Sequence, residues 1–307
     1  MRILVLGAGA VGGFFGGHLA KAGADVTFLV RAERAAALRR FGLAVDSPLG
    51  DFRASVDVVT DAAAARRPDI VIVTCKAYDI EEVMEAIAPA IGSGTVLLPL
   101  LNGIAHLERL SARFPAACLW GGLAHLSVTL AEDGTIRHLN SLSTIRFGAR
   151  AGVREERIER LAALFAPTPV NAVASPRIDQ ELWEKFVFIA ALAGMTCLMR
   201  ASAGAIVATP DGERLMLQLL DECRATAAAS GFPPDPQQLA KYQTELTRRG
   251  SALRASMLRD IERGGRTEGE HILGDMLARA RDHGVATPLL EIATTHVRAY
   301  EASRRQT

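Results

Sequence analysis

Residues 1–20 read MRILVLGAGAVGGFFGGHLA, and within them Gly7-Ala8-Gly9-Ala10-Val11-Gly12 decides the fold of the first half of the chain. Ile3 to Leu6 is an apolar strand, Val11 to Ala22 is helical, and Gly23 stops the helix. A Gly-x-Gly-x-x-Gly between a strand and a helix is a dinucleotide-binding turn. Gly7 permits the tight turn, Gly9 lets a pyrophosphate approach the backbone, and Gly12 lets helix and strand pack closely. The helix N-terminus adds unpaired N–H groups and the positive end of its dipole.

Outward from this turn the strand–helix alternation continues. Asp25 to Val30 is a second strand and Glu33 to Arg40 a helix; residues 42–59 hold shorter pieces, a hairpin around Ser47-Pro48-Leu49-Gly50. Asp69 to Thr74 (DIVIVT) has the unbroken apolar character of a strand buried on both faces of a parallel sheet. Asp79 to Ile91 is helical, and Thr95 to Leu101 (TVLLPLL) is a further strand that Pro99 would weaken in a central position. The character changes at APTPVNAVASPRI (166–178), which holds three of the 13 prolines; beyond it the strand signals vanish and Ile178 to Arg304 is Ala/Leu-rich with helical periodicity. The expected architecture is an α/β N-terminal domain with a mostly parallel sheet (1–175), followed by an all-α C-terminal domain (176–307).

Composition narrows the function classes. With 307 residues, 49% hydrophobic and 22% charged, the chain is globular, and ~150 residues per domain suggests two domains. Thirty-five Lys and Arg against 34 Asp and Glu leave a charge of +1, and aromatics are 5%; neither a basic nucleic-acid surface nor a base-stacking platform is indicated. No uninterrupted run of ~18 apolar residues marks a membrane span. The apolar start carries one positive charge and then glycines, unlike a signal peptide. Cys75, Cys118, Cys197 and Cys223 lack ligand spacing and read as reduced, buried thiols of a cytoplasmic protein. The seven histidines are scattered, so no metal is expected; His125 and His271 are given no role. The Ala/Leu-rich helical half offers surface for homodimer contacts.

The cofactor choice turns on the end of the second strand. An NAD site places Asp or Glu about 20 residues past the motif, on the ribose 2′-OH. Here the strand ends Val30-Arg31-Ala32-Glu33-Arg34. A guanidinium at Arg31 suits the 2′-phosphate of NADP(H), and Lys76, just past DIVIVT, is expected to face the same crevice. Glu33 leaves NAD open.

Several further segments carry a family resemblance: Gly7 to Gly12, Arg31, Cys75-Lys76-Ala77-Tyr78-Asp79, Asn102-Gly103, Leu182-Trp183-Glu184-Lys185-Phe186, and Ser256-Met257-Leu258-Arg259-Asp260-Ile261-Glu262-Arg263-Gly264 with Thr267-Glu268 just beyond. Over nearly its whole length the chain resembles the ketopantoate reductases (2-dehydropantoate 2-reductases), enzymes of pantothenate biosynthesis. The resemblance implies a Rossmann-type domain followed by a helical one, and reduction of a 2-oxo acid to a 2-hydroxy acid by NADPH. It places the catalytic lysine at Lys185 and the asparagine near the nicotinamide at Asn102. The serine that meets the substrate carboxylate falls at Ser256, and the glutamate near ribose and lysine at Glu268. The cofactor set it implies is Gly7, Ala8, Gly9, Ala10, Val11, Gly12, Arg31, Lys76, Asn102, Ser127 and Glu268. The chemistry suits these types: hydride addition puts negative charge on the ketone oxygen, and a lysine ammonium neutralises it and then donates a proton. Two alternatives remain beside it, an NAD-dependent D-2-hydroxyacid dehydrogenase of related fold and a non-catalytic NADP-binding sensor.

The chain departs from the family pattern on the substrate side. The family's lysine helix carries asparagines four and eight residues on, one face of a helix; here these are Ile189 and Ala193, and a third, three residues before Ser256, is Leu253. Leu101 replaces a common Gln. A pocket lined by Ile189 and Ala193 strands a substrate hydroxyl at a cost of about 1–3 kcal/mol, so the expected substrate is a more apolar 2-oxo acid than ketopantoate.

Overall fold

The computed structural model describes residues 1–92, 94–114, 119–150 and 155–306, so Cys118 lies outside the described residues. The chain divides into two compact units, one of residues 1–101 and 106–179 and one of 102–105 and 180–307.

The first unit is built on a parallel sheet of β1 (Arg2–Leu6), β2 (Asp25–Leu29), β5 (Asp57–Val59), β6 (Ile70–Val73) and β7 (Val96–Pro99), in the order β5-β2-β1-β6-β7. Leu6 is in register with both Leu29 and Val73, so three strands end together at the carboxyl edge of the sheet. Every residue of β6 and β7 is buried, as their unbroken apolar runs require. Pro99 is tolerated because β7 ends this strand order; Leu100 N–H donates to Val73 O, which leaves the Pro99 nitrogen on the side away from β6. Around the sheet run α1 (Ala10–Lys21), α2 (Ala32–Phe41), α3 (Ile80–Ile87), α4 (Ala105–Arg113) and α5 (Glu156–Phe165). Phe14, Phe15 and Leu19 of α1 pack into the core with Val5, Phe28 and Ile72.

A second sheet has no counterpart among the sequence expectations beyond residue 101. It comprises β3 (Leu43–Asp46), β4 (Phe52–Ala54), β8 (Trp120–Leu130), β9 (Ile136–Ala149) and β10 (Asn171–Ala174). The β3–β4 pair is the expected hairpin. The long β8–β9 hairpin is antiparallel and turns at Ala131–Thr135, where Gly134 takes φ +80°. Its pairing slips between Leu126 and Val128, which sets Ser127 in an irregularity of the strand. β10 falls inside the proline-bearing stretch 166–178, where the character of the sequence changes.

The second unit is helical: most of α6 (Ile178–Met199), then α7 (Ala203–Val207), α8 (Gly212–Ala229), α9 (Pro236–Leu246), α10 (Ser256–Glu262), a π-helical stretch Glu270–Gly274, α11 (Asp275–Asp282) and α12 (Pro288–Arg304). By length and mean hydropathy α6 could cross a membrane, but 72% of its apolar window is buried inside the protein, the pattern of a core helix. Buried Glu222 of α8 accepts from Leu289 N–H (3.2 Å) and Leu290 N–H (2.9 Å), so its carboxylate meets the first turn of α12 where the dipole favours it.

One glycine sets how close α1 lies to the sheet. A Cβ on Gly12 would stand 2.3 Å from both Gly7 O and Thr74 Oγ1. Gly12→Ala is expected to destabilise the protein by about 1–3 kcal/mol through overpacking, read as a lower urea midpoint at unchanged slope.

Candidate active site

The carboxyl edge of the parallel sheet carries a groove of about 610 Å³. Gly7, Ala8 and Gly9 form its floor, with Thr74 and Cys75 after β6 and Arg31 after β2 on its walls. Gly7 adopts φ +86° and its N–H donates to Leu29 O (2.9 Å), which fastens the turn to β2. Thr74 Oγ1 donates to Leu6 O (2.7 Å) and so ties the ends of β1 and β6. Gly9 is the N-cap of α1; no side chain caps it and no acid occupies the first turn. Nothing lies within 4 Å of where a Gly9 Cβ would be. The first-turn N–H groups of α1 and open space over Gly9 are what a pyrophosphate needs, so the residues present fit a dinucleotide.

The charged residues of the groove differ in how committed they are. Arg31 has a side chain 82% exposed and pairs with Glu82 of α3 at 3.1 Å. Arg34 is half-buried and spends its guanidinium on backbone carbonyls: Ala8 O at 3.1 and 3.2 Å and Gly134 O at 3.1 Å. Glu33 is exposed in the first turn of α2 and does not line the groove. Lys76 is half-buried as the N-cap of the short turn Ala77–Asp79, and it is Thr74 and Cys75 that line the groove beside it. Cys75 is half-buried, unlike Cys197 and Cys223, which are buried as expected.

In the helical unit Lys185 lies near the start of α6. Its residue is half-buried, but dense protein surrounds the ammonium, and this desolvation lowers its pKa to about 8 against an opposing pull from the Glu268 carboxylate. Glu268 is 6% exposed. The neighbouring carboxylate, Glu184, serves the fold: it accepts from Gln180 Nε2 and from Asp235 N–H, both at 3.1 Å. Trp183 stacks on Phe232 with ring centroids 5.3 Å apart, and the Arg279 guanidinium lies 5.4 Å from the same ring. These contacts hold the first turns of α6, and Lys185 with them.

Asn102 belongs to the same unit through the segment 102–105. Gly103 has φ +76°, and a Cβ there would stand 3.0 Å from His271 Cδ2 and from His271 O. His271, 8% exposed, sits in the π-helical stretch that follows Glu268. It therefore abuts the Asn102-Gly103 turn, a positioning contact that a histidine without ligand spacing does not reveal. Ile189 is half-buried and Ala193 buried, four and eight residues beyond Lys185 on α6. Ser256 is exposed at the first residue of α10, and Leu253 is half-buried. Ser127 is half-buried in the irregular part of β8 and does not line the groove.

Comparison with known proteins identifies the family. The family model "Ketopantoate reductase PanE/ApbA" matches residues 3–152, and the corresponding C-terminal model matches 177–301. The uncharacterised oxidoreductase YkpB of Bacillus subtilis is 36% identical, over 99% of this chain and all of its own. A 2-dehydropantoate 2-reductase of Halobacterium salinarum is 29% identical over 97% of this chain and 98% of that protein. The crystal structure of 2-dehydropantoate 2-reductase from Methylococcus capsulatus superposes with a TM-score of 0.90 at 28% identity, covering 100% of this chain and 99% of that one. The chain belongs to the ketopantoate reductase family of oxidoreductases.

Proposed function

We propose that the protein reduces a 2-oxo acid to the 2-hydroxy acid with NADPH, Lys185 serving as the general acid. The observation that carries this reading is a lysine with its ammonium buried beside a buried glutamate: burial brings its pKa down to about 8, and the Glu268 carboxylate favours its charged form. An ordinary lysine, near 10.4, is a reluctant acid at neutral pH; a value near the working pH suits proton transfer. Nicotinamide cofactors are used across this family, and such a cofactor supplies the hydride that adds to C2. The glycine turn and the first-turn N–H groups of α1 hold its pyrophosphate. Arg31 receives the 2′-phosphate, its exposed guanidinium having donors to spare beside Glu82. Asn102 donates to the carbonyl oxygen or the ribose, and the Ser256 hydroxyl meets the substrate carboxylate. As the ketone oxygen gains charge, the Lys185 ammonium stabilises it and gives up one proton; solvent later restores it. Glu268 keeps that ammonium charged and in place. The protein acts in the cytoplasm in this reading, as a homodimer.

NAD remains the second reading for the cofactor, because the Glu82 carboxylate beside Arg31 opposes a phosphate. Titration with NADPH and NADH separates the two. For an NADPH enzyme, Arg31→Met weakens NADPH binding by about tenfold and leaves NADH nearly unchanged. Equal effects on both cofactors would return the choice to NAD.

The rate of reduction falls as pH rises through about 8, because the acid is then lost. Since Glu268 raises the Lys185 pKa, Glu268→Gln moves that fall to lower pH, and Lys185→Met abolishes turnover while cofactor binding survives. Persistent turnover in Lys185→Met would refute the assignment of the acid, and cofactor binding without turnover in the unmutated protein would leave a sensor.

For substrate, absorbance loss of NADPH across a panel of 2-oxo acids is expected to favour those lacking ketopantoate's hydroxyl by about tenfold or more in kcat/KM. Preference for ketopantoate would overturn the apolar-pocket reading of Ile189 and Ala193.

A further inference from the structure

The β8–β9 hairpin lies outside the strand–helix units that make a dinucleotide fold, yet its tip reaches the glycine-rich loop through one side chain. Arg34 projects from α2 and divides its guanidinium between two carbonyls that are remote in sequence. Nε and Nη2 donate to Ala8 O (3.2 and 3.1 Å), and Nη2 also donates to Gly134 O (3.1 Å). Ala8 is the middle of the Gly7-Ala8-Gly9 turn, and Gly134 is the left-handed residue of the hairpin tip, φ +80°. The fit is close from the hairpin side too: a Cβ on Gly134 would stand 2.5 Å from Arg34 Nη1. The tip is itself ordered by Ala131 N–H to Thr135 O, Gly134 N–H to Ala131 O and Thr135 N–H to Asp133 Oδ1, each 2.9 Å. Immediately before it, Leu130, 42% exposed, forms part of the groove wall.

We propose that Arg34 is a positioning residue for the cofactor: it clamps the hairpin tip to the glycine-rich loop, so that the hairpin fixes the loop's shape and supplies Leu130 as a wall of the groove. This rests on the reading of the groove as a nicotinamide dinucleotide site. Arginine suits the task because its planar fork donates to two acceptors at once, which a lysine does not reproduce. The Ala8 carbonyl lies in the turn that receives a pyrophosphate, so its orientation bears on NADPH and NADH alike. An arginine near the end of the second strand would ordinarily be assigned to the 2′-phosphate. Arg34 differs because its donors are already turned to Ala8 and Gly134, which leaves the exposed Arg31 for that role.

The test approaches the clamp from both ends. Arg34→Lys removes the fork and keeps the charge. Gly134→Ala leaves α2 untouched and disturbs the clamp from the hairpin side, both by crowding the guanidinium and by straining the left-handed turn, so its deciding readout is exchange over residues 7–12. Cofactor binding is followed by fluorescence titration with NADPH and, separately, NADH; backbone amide hydrogen exchange of the free proteins is followed over residues 7–12 and 130–136. Each variant is expected to weaken both cofactors by a similar factor of about ten, to accelerate exchange in both segments together, and to raise the KM for cofactor more than it lowers kcat. Combining the two substitutions is expected to add little to either alone, since they break one device. A loss confined to NADPH would make Arg34 a 2′-phosphate ligand and overturn the clamp. Faster exchange in 130–136 with residues 7–12 unchanged would likewise overturn it, reducing Arg34 to a tether for the hairpin. Should the unmutated protein bind neither cofactor, the dinucleotide reading fails, and with it the cofactor role of Arg34; coupled exchange would then keep only the mechanical link.

Discussion

The close approach of α1 to the ends of β1 and β6 is the constraint on which the first unit depends. Gly12 has no Cβ, so the helix comes down on Gly7 O and Thr74 Oγ1, and Thr74 in turn bonds Leu6 O. That proximity puts the first turn of α1, with N–H groups that no side chain caps, over the carboxyl edge of the sheet. Phe14 and Phe15 follow on the same helix and bury the face that holds it there. The apolar core and the anion-binding turn are therefore one piece of architecture, in which packing holds the unpaired N–H groups at the groove.

The helical unit solves a different electrostatic problem. An ammonium surrounded by protein is destabilised, and Lys185 answers by a lower affinity for its proton. Glu268 opposes that shift, and the lysine ends at a pKa of about 8. The linkage has a definite sign. Because the folded pKa lies below the unfolded one, the penalty of burying the charge is present in full below about pH 8 and is relieved as pH rises toward the ordinary lysine value. Function of the kind proposed here would be the reason to retain such a group. Its surroundings are braced by contacts with no chemistry of their own: Trp183 against Phe232 and Arg279, and Glu184 on Asp235 N–H.

Much of this was legible in the residues. The glycine turn, the apolar runs of β6 and β7, the hairpin near Ser47 and the helical character beyond Ile178 all follow from local pattern, because a buried parallel strand and a phosphate turn leave few residue choices. The β8–β9 hairpin was harder. Its strands interleave glycine, histidine, serine and asparagine, and β9 is exposed over 139–142. The Asp133-Gly134 pair was its clearest local signal. His271 gave no signal at all, since it touches Gly103 across 168 positions of chain.

The sequence by itself determined the strand–helix alternation up to Leu101, the helical character beyond Ile178 and the family to which the chain belongs, since local pattern and ordered motifs carry these. Only the tertiary structure decided which charged side chains remain available. Arg31 and Arg34 are indistinguishable as guanidiniums three residues apart, yet one is exposed beside Glu82 and the other is consumed by Ala8 O and Gly134 O. The acidity of Lys185 likewise depends on how densely the folded protein surrounds it and on a carboxylate 83 residues away. Desolvation and hydrogen-bond commitment are properties of assembled surroundings, and no local pattern encodes them.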